Sequence, residues 1–235
     1  MITRHTRSVR HRLRQALVLL IAFGPTLPVQ AAEAAAPGPA KSSEFKQGEA
    51  AYASGNYSEA AKVWRPLAEK GDPQAQYAMG LLARRGLGGM RDPVEAAEWW
   101  RKAARQGHAT AQFNLGVLYE SGEGVPKSYD EAFKWYRLAA ERGEPDAQFN
   151  LGLLYASGRG APRDPTEAAA WYRRAAEQGD AAAQYTLGLS YAAGMGVPKD
   201  RPAAVAWLKQ SAAQGFQPAK DALAKLASDT QGKKP

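Results

Sequence analysis

Apolar residues recur at intervals of three and four through most of the chain, which is the spacing of one face of an α-helix. In the stretch 109–143 the first apolar stripe comprises Ala111, Leu115, Leu118 and Tyr119. Gly122 then favours a helix end, and Pro126 prevents the same helix from resuming. A second stripe runs from Ala132 to Ala140, and Gly143 ends that helix. The pattern predicts two helices joined by a turn and predicts no strand.

The start of each second helix carries a capping signal. Ser128 is followed three residues later by Glu131, which is the spacing of a capping box. Asp92 and Asp164 stand at the matching positions, and each is followed by proline, a residue that suits the first helical position. Because Ser128 and the two Asp residues occupy equivalent places, we interpret the acids as helix caps rather than as an acid–base catalytic pair.

The helix pairs repeat with a period of 36 residues. The period is clearest in the glycines Gly71, Gly107, Gly143, Gly179 and Gly215, and in the pairs Trp99-Trp100, Trp135-Tyr136, Trp171-Tyr172 and Trp207-Leu208. A fixed period of this size indicates stacked helical hairpins, since one hairpin cannot bury its apolar face by itself. We therefore predict an all-α solenoid over 43–228. Its units are a tighter hairpin at 44–71, four full repeats at 73–107, 109–143, 145–179 and 181–215, and a capping helix at 216–228.

Three motifs of the second full repeat identify a family. They are Ala111-Gln-Phe-Asn-Leu-Gly-Val-Leu-Tyr119, Gly122-x-Gly124-Val125-Pro126 and Ala132-x-x-Trp135-Tyr136-x-x-Ala139-Ala140-x-x-Gly143. Together they resemble the Sel1-like repeat, a relative of the tetratricopeptide repeat, and the segment 44–71 resembles a plain tetratricopeptide unit. Departures are few: Ala83 replaces the tyrosine at the end of the first motif, Leu208 replaces an aromatic residue, and Ala161 replaces the loop valine.

The resemblance implies a scaffold or adaptor that binds other proteins. Exported bacterial members of the family are linked to envelope signalling, polysaccharide secretion and host contact. A cysteine-rich branch has been associated with penicillin binding, but this chain contains no cysteine. We keep an envelope hydrolase acting on peptidoglycan or β-lactams as the alternative function.

The two ends of the chain differ from the repeats. Residues 1–31 contain five arginines, a short apolar run and the small-residue pattern Val29-x-Ala31, which together predict a cleaved signal peptide and a periplasmic or secreted protein. Cleavage would lower the formal net charge from +8 to about +3, because 26 basic residues would remain against 23 acidic residues. We therefore expect neither a nucleic-acid partner nor stable membrane insertion of the mature chain. A flexible linker is predicted at 32–42 and a disordered tail at 229–235.

The composition restricts the possible chemistry. The chain has three histidines, and only His108 lies outside the first eleven residues. The glycine pairs of the loops follow helix C-termini, whereas bound phosphates occupy helix N-termini. We therefore predict no catalytic residues, no metal site and no cofactor, and we expect a protein or peptide as the partner.

A second apolar stripe on the first helix of each repeat is the candidate binding surface. By resemblance to tetratricopeptide domains these positions line a concave groove, and an Asn amide can both donate to and accept from a peptide backbone. The predicted groove residues are Tyr77, Leu81, Arg84, Phe113, Asn114, Val117, Phe149, Asn150, Leu153, Tyr185 and Leu189. Arg84 with Arg85 further suggests an acidic end on the partner. The stripe could equally pack the first helices of neighbouring repeats together, because a helix that is apolar on two sides can be buried.

Overall fold

The computed structural model describes residues 42–231; the predicted signal peptide, most of the predicted linker and residues 232–235 lie outside this range. The described part contains eleven α-helices and no strand, which confirms the all-α repeat fold. The helices are α1 (Ser43–Ala53), α2 (Tyr57–Glu69), α3 (Pro73–Arg85), α4 (Pro93–Arg105), α5 (Ala109–Ser121), α6 (Tyr129–Glu141), α7 (Pro145–Ser157), α8 (Pro165–Glu177), α9 (Ala181–Ala193), α10 (Arg201–Ala213) and α11 (Gln217–Gln231).

The helices form five hairpins, α1–α2 through α9–α10, followed by the single helix α11. Each helix packs mainly against the helices that precede and follow it in the chain. The last helix ends at Gln231, so residues 229–231 are helical rather than part of the disordered tail predicted from 229. Within residues 42–231, every helix is too short or too polar to cross a membrane.

The helix ends follow the turn chemistry of the sequence. Gly122 ends α5 with a φ of 79°, a left-handed conformation that is unfavourable for residues with a Cβ atom. Its N–H donates to Leu118 O at 2.8 Å. Ser128 Oγ accepts from the Glu131 N–H at 3.2 Å and opens α6. The Asp164 carboxylate accepts from the N–H groups at the start of α8. The loop acids are therefore engaged as helix caps, as their equivalence to Ser128 predicted.

A glycine of the first helix lies against a large side chain of the second helix in every hairpin. The five pairs are Gly48 with Trp64, Gly80 with Trp100, Gly116 with Tyr136, Gly152 with Tyr172 and Gly188 with Leu208. A Cβ atom at Gly116 would lie 2.6 Å from the ring of Tyr136, so the ring fits only because the side chain is absent. The Trp100 indole also donates to Tyr77 O at 3.1 Å, which fixes how far the two helices of that hairpin can slide.

The first aromatic residue of each pair links neighbouring hairpins. Trp99 packs into the core that contains Trp64 and Met79 of earlier helices, and Trp171 packs into the core that contains Tyr136. Both indole side chains are buried. The two aromatic residues of a pair therefore have different roles, since one closes its own hairpin and the other joins that hairpin to the one before it.

Buried glutamines connect the hairpins by hydrogen bonds. Four of them, Gln76, Gln112, Gln148 and Gln184, each donate to a carbonyl oxygen of the preceding hairpin's second helix at 3.0–3.1 Å. Their own side-chain oxygens accept from Gln106, Gln178 and Gln214 in three of the four hairpins. In the remaining hairpin the matching residue is Arg142, and Gln112 Oε1 has no hydrogen-bond partner within the described residues.

Replacing a ring-contacting glycine tests this packing. Alanine normally stabilises a helix by up to about 1 kcal/mol relative to glycine. We expect Gly152→Ala instead to lower the free energy of unfolding by about 1–3 kcal/mol, because its Cβ would lie 2.6 Å from the Tyr172 ring. Urea denaturation followed by circular dichroism measures the change. Gly89→Ala is the control, since a Cβ there contacts nothing within 4 Å; equal midpoint changes for the two variants would contradict the packing account.

Candidate functional site

The eleven predicted groove residues lie on α3, α5, α7 and α9, the first helices of four consecutive repeats. We call these residues the first-helix stripe. Ten of them are half-buried, and only Tyr185 is buried, with 9% of its surface exposed. The stripe is therefore neither an open surface nor a closed core.

Each aromatic ring of the stripe has an aromatic neighbour. Phe113 lies 5.8 Å from the ring of Tyr136, and Phe149 lies 5.7 Å from the ring of Tyr172. At the two ends of the stripe, the ring of Tyr77 stacks on His108 with 4.7 Å between ring centres, and the ring of Tyr185 lies 5.5 Å from that of Phe216. The rings are held in place from one side, which lowers the entropy cost of binding on the other side.

The stripe also contributes to the joints between repeats. Phe113 and Val117 of α5 pack against the core that contains Leu151 of α7. Phe149 and Leu153 of α7 pack in the same way against the core that contains Leu187 of α9. Each of these side chains therefore packs against the next repeat and keeps only part of its surface accessible. Their role as a binding surface stays a prediction.

Polar groups of the stripe are already engaged within the chain. Arg84 forms an ion pair with Glu123 at 3.4 Å and lies over the ring of Trp100. The positive charge of Arg84, which suggested an acidic partner, is thus already paired with an acidic residue of the next loop. The Asn114 amide lies near the hydroxyl of Tyr77.

A hydroxyl–carboxylate pair lies beneath the stripe in the second full repeat. The Tyr136 hydroxyl donates to Glu120 Oε2 at 2.8 Å, and the Asn150 amide lies near the same hydroxyl. Burial, reinforced by the Glu120 carboxylate, raises the Tyr136 pKa well above its usual range. The hydroxyl therefore stays protonated and acts as a donor at any physiological pH.

The equivalent hydroxyl in the third full repeat lacks these partners. Ala156 and Thr186 occupy the places of Glu120 and Asn150, and the buried Tyr172 hydroxyl has no hydrogen-bond partner among the described residues. Burial alone raises the Tyr172 pKa above its usual range. The two adjacent repeats thus present the same ring with a satisfied hydroxyl in one and an unsatisfied hydroxyl in the other.

His108 acts as a structural cap rather than as a surface site. Its Nδ1 accepts from the Ala111 N–H at 3.2 Å, so the ring proton resides on Nε2 and points to Gln74 Oε1 at 3.2 Å. Burial lowers its pKa to about 4, which keeps the ring neutral at physiological pH. The signal for this role was its place in the sequence, where other repeats carry the caps Asp72 and Asp180.

Within residues 42–231, no three His, Asp or Glu side chains are placed to hold a metal ion.

Phenylalanine substitutions distinguish the two tyrosine environments. We expect Tyr136→Phe to lower the free energy of unfolding by about 1–2 kcal/mol, because Glu120 loses its buried donor. Tyr172→Phe should leave stability unchanged or raise it by up to about 1 kcal/mol, because it removes an unsatisfied hydroxyl. Urea denaturation of both variants under identical conditions measures the difference. A larger loss for Tyr172→Phe than for Tyr136→Phe would show that the hydroxyl contacts are assigned incorrectly.

Two solved structures show what the fold is similar to. A Sel1 repeat protein from Oxalobacter formigenes shares 40% sequence identity with a TM-score of 0.73, and the match covers 77% of this chain and 74% of that protein. The protein c5321, a protective antigen present in uropathogenic Escherichia coli strains, shares 36% identity with a TM-score of 0.74 over 78% of this chain. This match spans only 40% of the length of c5321. No curated protein matches the chain.

The Sel1 repeat model matches the chain four times in succession, at residues 73–108, 109–144, 145–180 and 181–216. These matches cover more than half of the sequence and coincide with the hairpins α3–α4 through α9–α10. Sel1-repeat proteins generally act as protein-interaction scaffolds. The chain belongs to the Sel1 repeat family.

Proposed function

We propose that the protein is an exported, non-catalytic scaffold that binds an extended peptide segment or a helix of a partner protein across the first-helix stripe. The observation that supports this most directly is the stripe itself, a row of half-buried aromatic and aliphatic side chains at equivalent positions of four repeats. Repeat proteins use such continuous surfaces for binding, and aromatic side chains supply a large contact area at low entropy cost.

The chemistry of the stripe favours a polypeptide over a small anion. Its surface is mainly apolar, and Arg84 is already paired with Glu123. The amides of Asn114 and Asn150 can pair with a peptide backbone on the side that does not meet a tyrosine hydroxyl. Among residues 42–231 no cluster of side chains favours the envelope-hydrolase alternative.

The place of action proposed is the bacterial envelope, in signalling or polysaccharide secretion. The proposal depends on the arginine-rich start, the short apolar run and Val29-x-Ala31, all of which lie outside the described residues. A scaffold of this kind would hold an envelope partner through the stripe once the signal has been removed.

Lysine substitutions on the stripe test the binding surface. Val117→Lys with Leu153→Lys keeps the apolar stems over the core but places two ammonium groups on the accessible side. We expect this variant to lose the partners that the wild type captures by crosslinking in the native envelope, as identified by mass spectrometry. Ala170→Lys with Ala206→Lys is the matched control, since both alanines are exposed on second helices. If the stripe variant folds and captures the same partners as the control, the binding surface lies elsewhere.

N-terminal sequencing of the native protein tests export. We expect a mature chain that begins at or close to Ala32, recovered from the periplasm or the medium. A chain that retains Met1 and sediments with the membrane would contradict the proposed cleavage.

A further inference from the structure

A pocket of about 90 Å³ opens between α2 and α3, beside the loop that joins α3 to α4. Eight of its ten lining residues are apolar or glycine, and the other two are Arg65 and Glu95. This volume is several times the 10–15 Å³ that one water molecule requires. It shares no residue with the first-helix stripe, so it is a second and independent candidate for binding.

Two departures from the repeat pattern create this pocket. Ala83 occupies the position of Tyr119, Tyr155 and Tyr191 in the other full repeats, and Gly89 occupies the position of Val125 and Val197. In the second full repeat, Tyr119 and Val125 pack against a core of Ala97, Leu115 and Leu118. The equivalents of that core are Ala61, Met79 and Leu82, which are walls of the pocket. The pocket therefore marks the space that a tyrosine and a valine fill elsewhere in the array.

The arginine that would donate a hydrogen bond to a tyrosine at position 83 is present. Arg101 donates to the Tyr119 hydroxyl at 3.4 Å, and Arg173 donates to the Tyr191 hydroxyl. The equivalent residue beside the pocket is Arg65, which instead forms an ion pair with Glu95 at 3.4 Å and remains half exposed. The first full repeat thus keeps the apolar walls and the polar partner of a tyrosine without the tyrosine.

Two large apolar side chains are exposed at or near the pocket. Met90, which lines the pocket, is 92% exposed, and Val94, which precedes the lining residue Glu95 in the sequence, is 55% exposed. They are the only large apolar side chains that the described residues leave exposed. The positions equivalent to Val94 carry Asp130 and Thr166 in the next two repeats. Exposed apolar side chains gathered beside polar ones indicate a site of protein interaction, and aromatic anchors in small pockets are typical of binding hot spots.

We propose that this pocket binds a tyrosine side chain of a partner protein, with the ring against Met79, Leu82 and Ala83 and the hydroxyl accepting from Arg65. The chain itself does not offer a free tyrosine for this purpose. All ten of its tyrosines lie within residues 42–231 and none is exposed, while the residues outside that range contain no tyrosine. The partner therefore supplies the ring, and Met90 and Val94 contact the residues that flank it.

The methionines provide a direct test with the full chain. Two of the four, Met79 and Met90, line the pocket, and Met195 lies in the loop of the fourth full repeat. We label the methionine methyl groups with ¹³C and titrate N-acetyl-L-tyrosinamide, with N-acetyl-L-phenylalaninamide as the matched probe. We expect saturable shifts of Met79 and Met90 without a shift of Met195, and a dissociation constant about 3–10-fold lower for the tyrosine probe, as one added hydrogen bond implies.

Variants separate the ring from the hydroxyl. Ala83→Tyr should fill the pocket from within, raise the thermal midpoint and abolish the shifts. If Ala83→Tyr misfolds, Gly89→Val is the second variant that should fill the pocket, in this case from the loop. A Cβ atom at position 89 contacts nothing within 4 Å, and the φ of Gly89 lies outside the left-handed region. Arg65→Leu should retain binding of both probes but remove the preference for tyrosine.

Three outcomes would overturn the proposal. They are the absence of shifts at Met79 and Met90 up to about ten millimolar probe, binding of the phenylalanine probe as tightly as the tyrosine probe, and unchanged binding by a folded Ala83→Tyr variant. None of them bears on the first-helix stripe, which the lysine variants test separately.

Discussion

The contact between a glycine of the first helix and a ring of the second helix determines the geometry of every hairpin but the last, where Leu208 takes the ring's place. Because the glycine has no side chain, the two helix backbones approach closely and the ring occupies the space that is left. A ring that buries a large apolar area at one fixed point also sets the register of the two helices. In the four full repeats the same register recurs every 36 residues, so each of these hairpins presents its apolar faces in the orientation that the next hairpin needs.

Most of this architecture could be predicted from the sequence because its determinants are local and periodic. Gly122, Ser128 and Trp135-Tyr136 stand within one hairpin, and their spacing is visible without knowledge of the fold. The buried glutamines could not be predicted in the same way. Gln112 and its equivalents look like polar surface residues, since unpaired amides are rarely buried, and their partners belong to another helix or another hairpin. Only the packed structure reveals that the NH₂ group of each amide has a carbonyl acceptor, and that the side-chain oxygen of Gln112 has no donor within the described residues.

The candidate site could be located but not characterised from the sequence. The first-helix stripe follows from helical spacing, yet the exposure of Phe113 or Leu153 depends on the distance between neighbouring hairpins, which no local pattern encodes. The ion pair of Arg84 with Glu123 joins residues 39 positions apart. Ala83 was visible as a departure from the repeat, but its meaning required the structure, which shows that its missing side chain and that of Gly89 adjoin one space.

Arg142 stands where the other full repeats have a glutamine, and this replacement affects the stability of one hairpin in the array. In three of the four full repeats a glutamine at the end of the second helix clasps the buried glutamine of the first helix at 2.8–2.9 Å, and the α5–α6 hairpin lacks that clasp. In a linear array each hairpin contacts only its neighbours, so cooperativity passes through every joint in turn. We expect this hairpin, which lies near the middle of the chain and has the weaker closure, to be where local opening of the array begins.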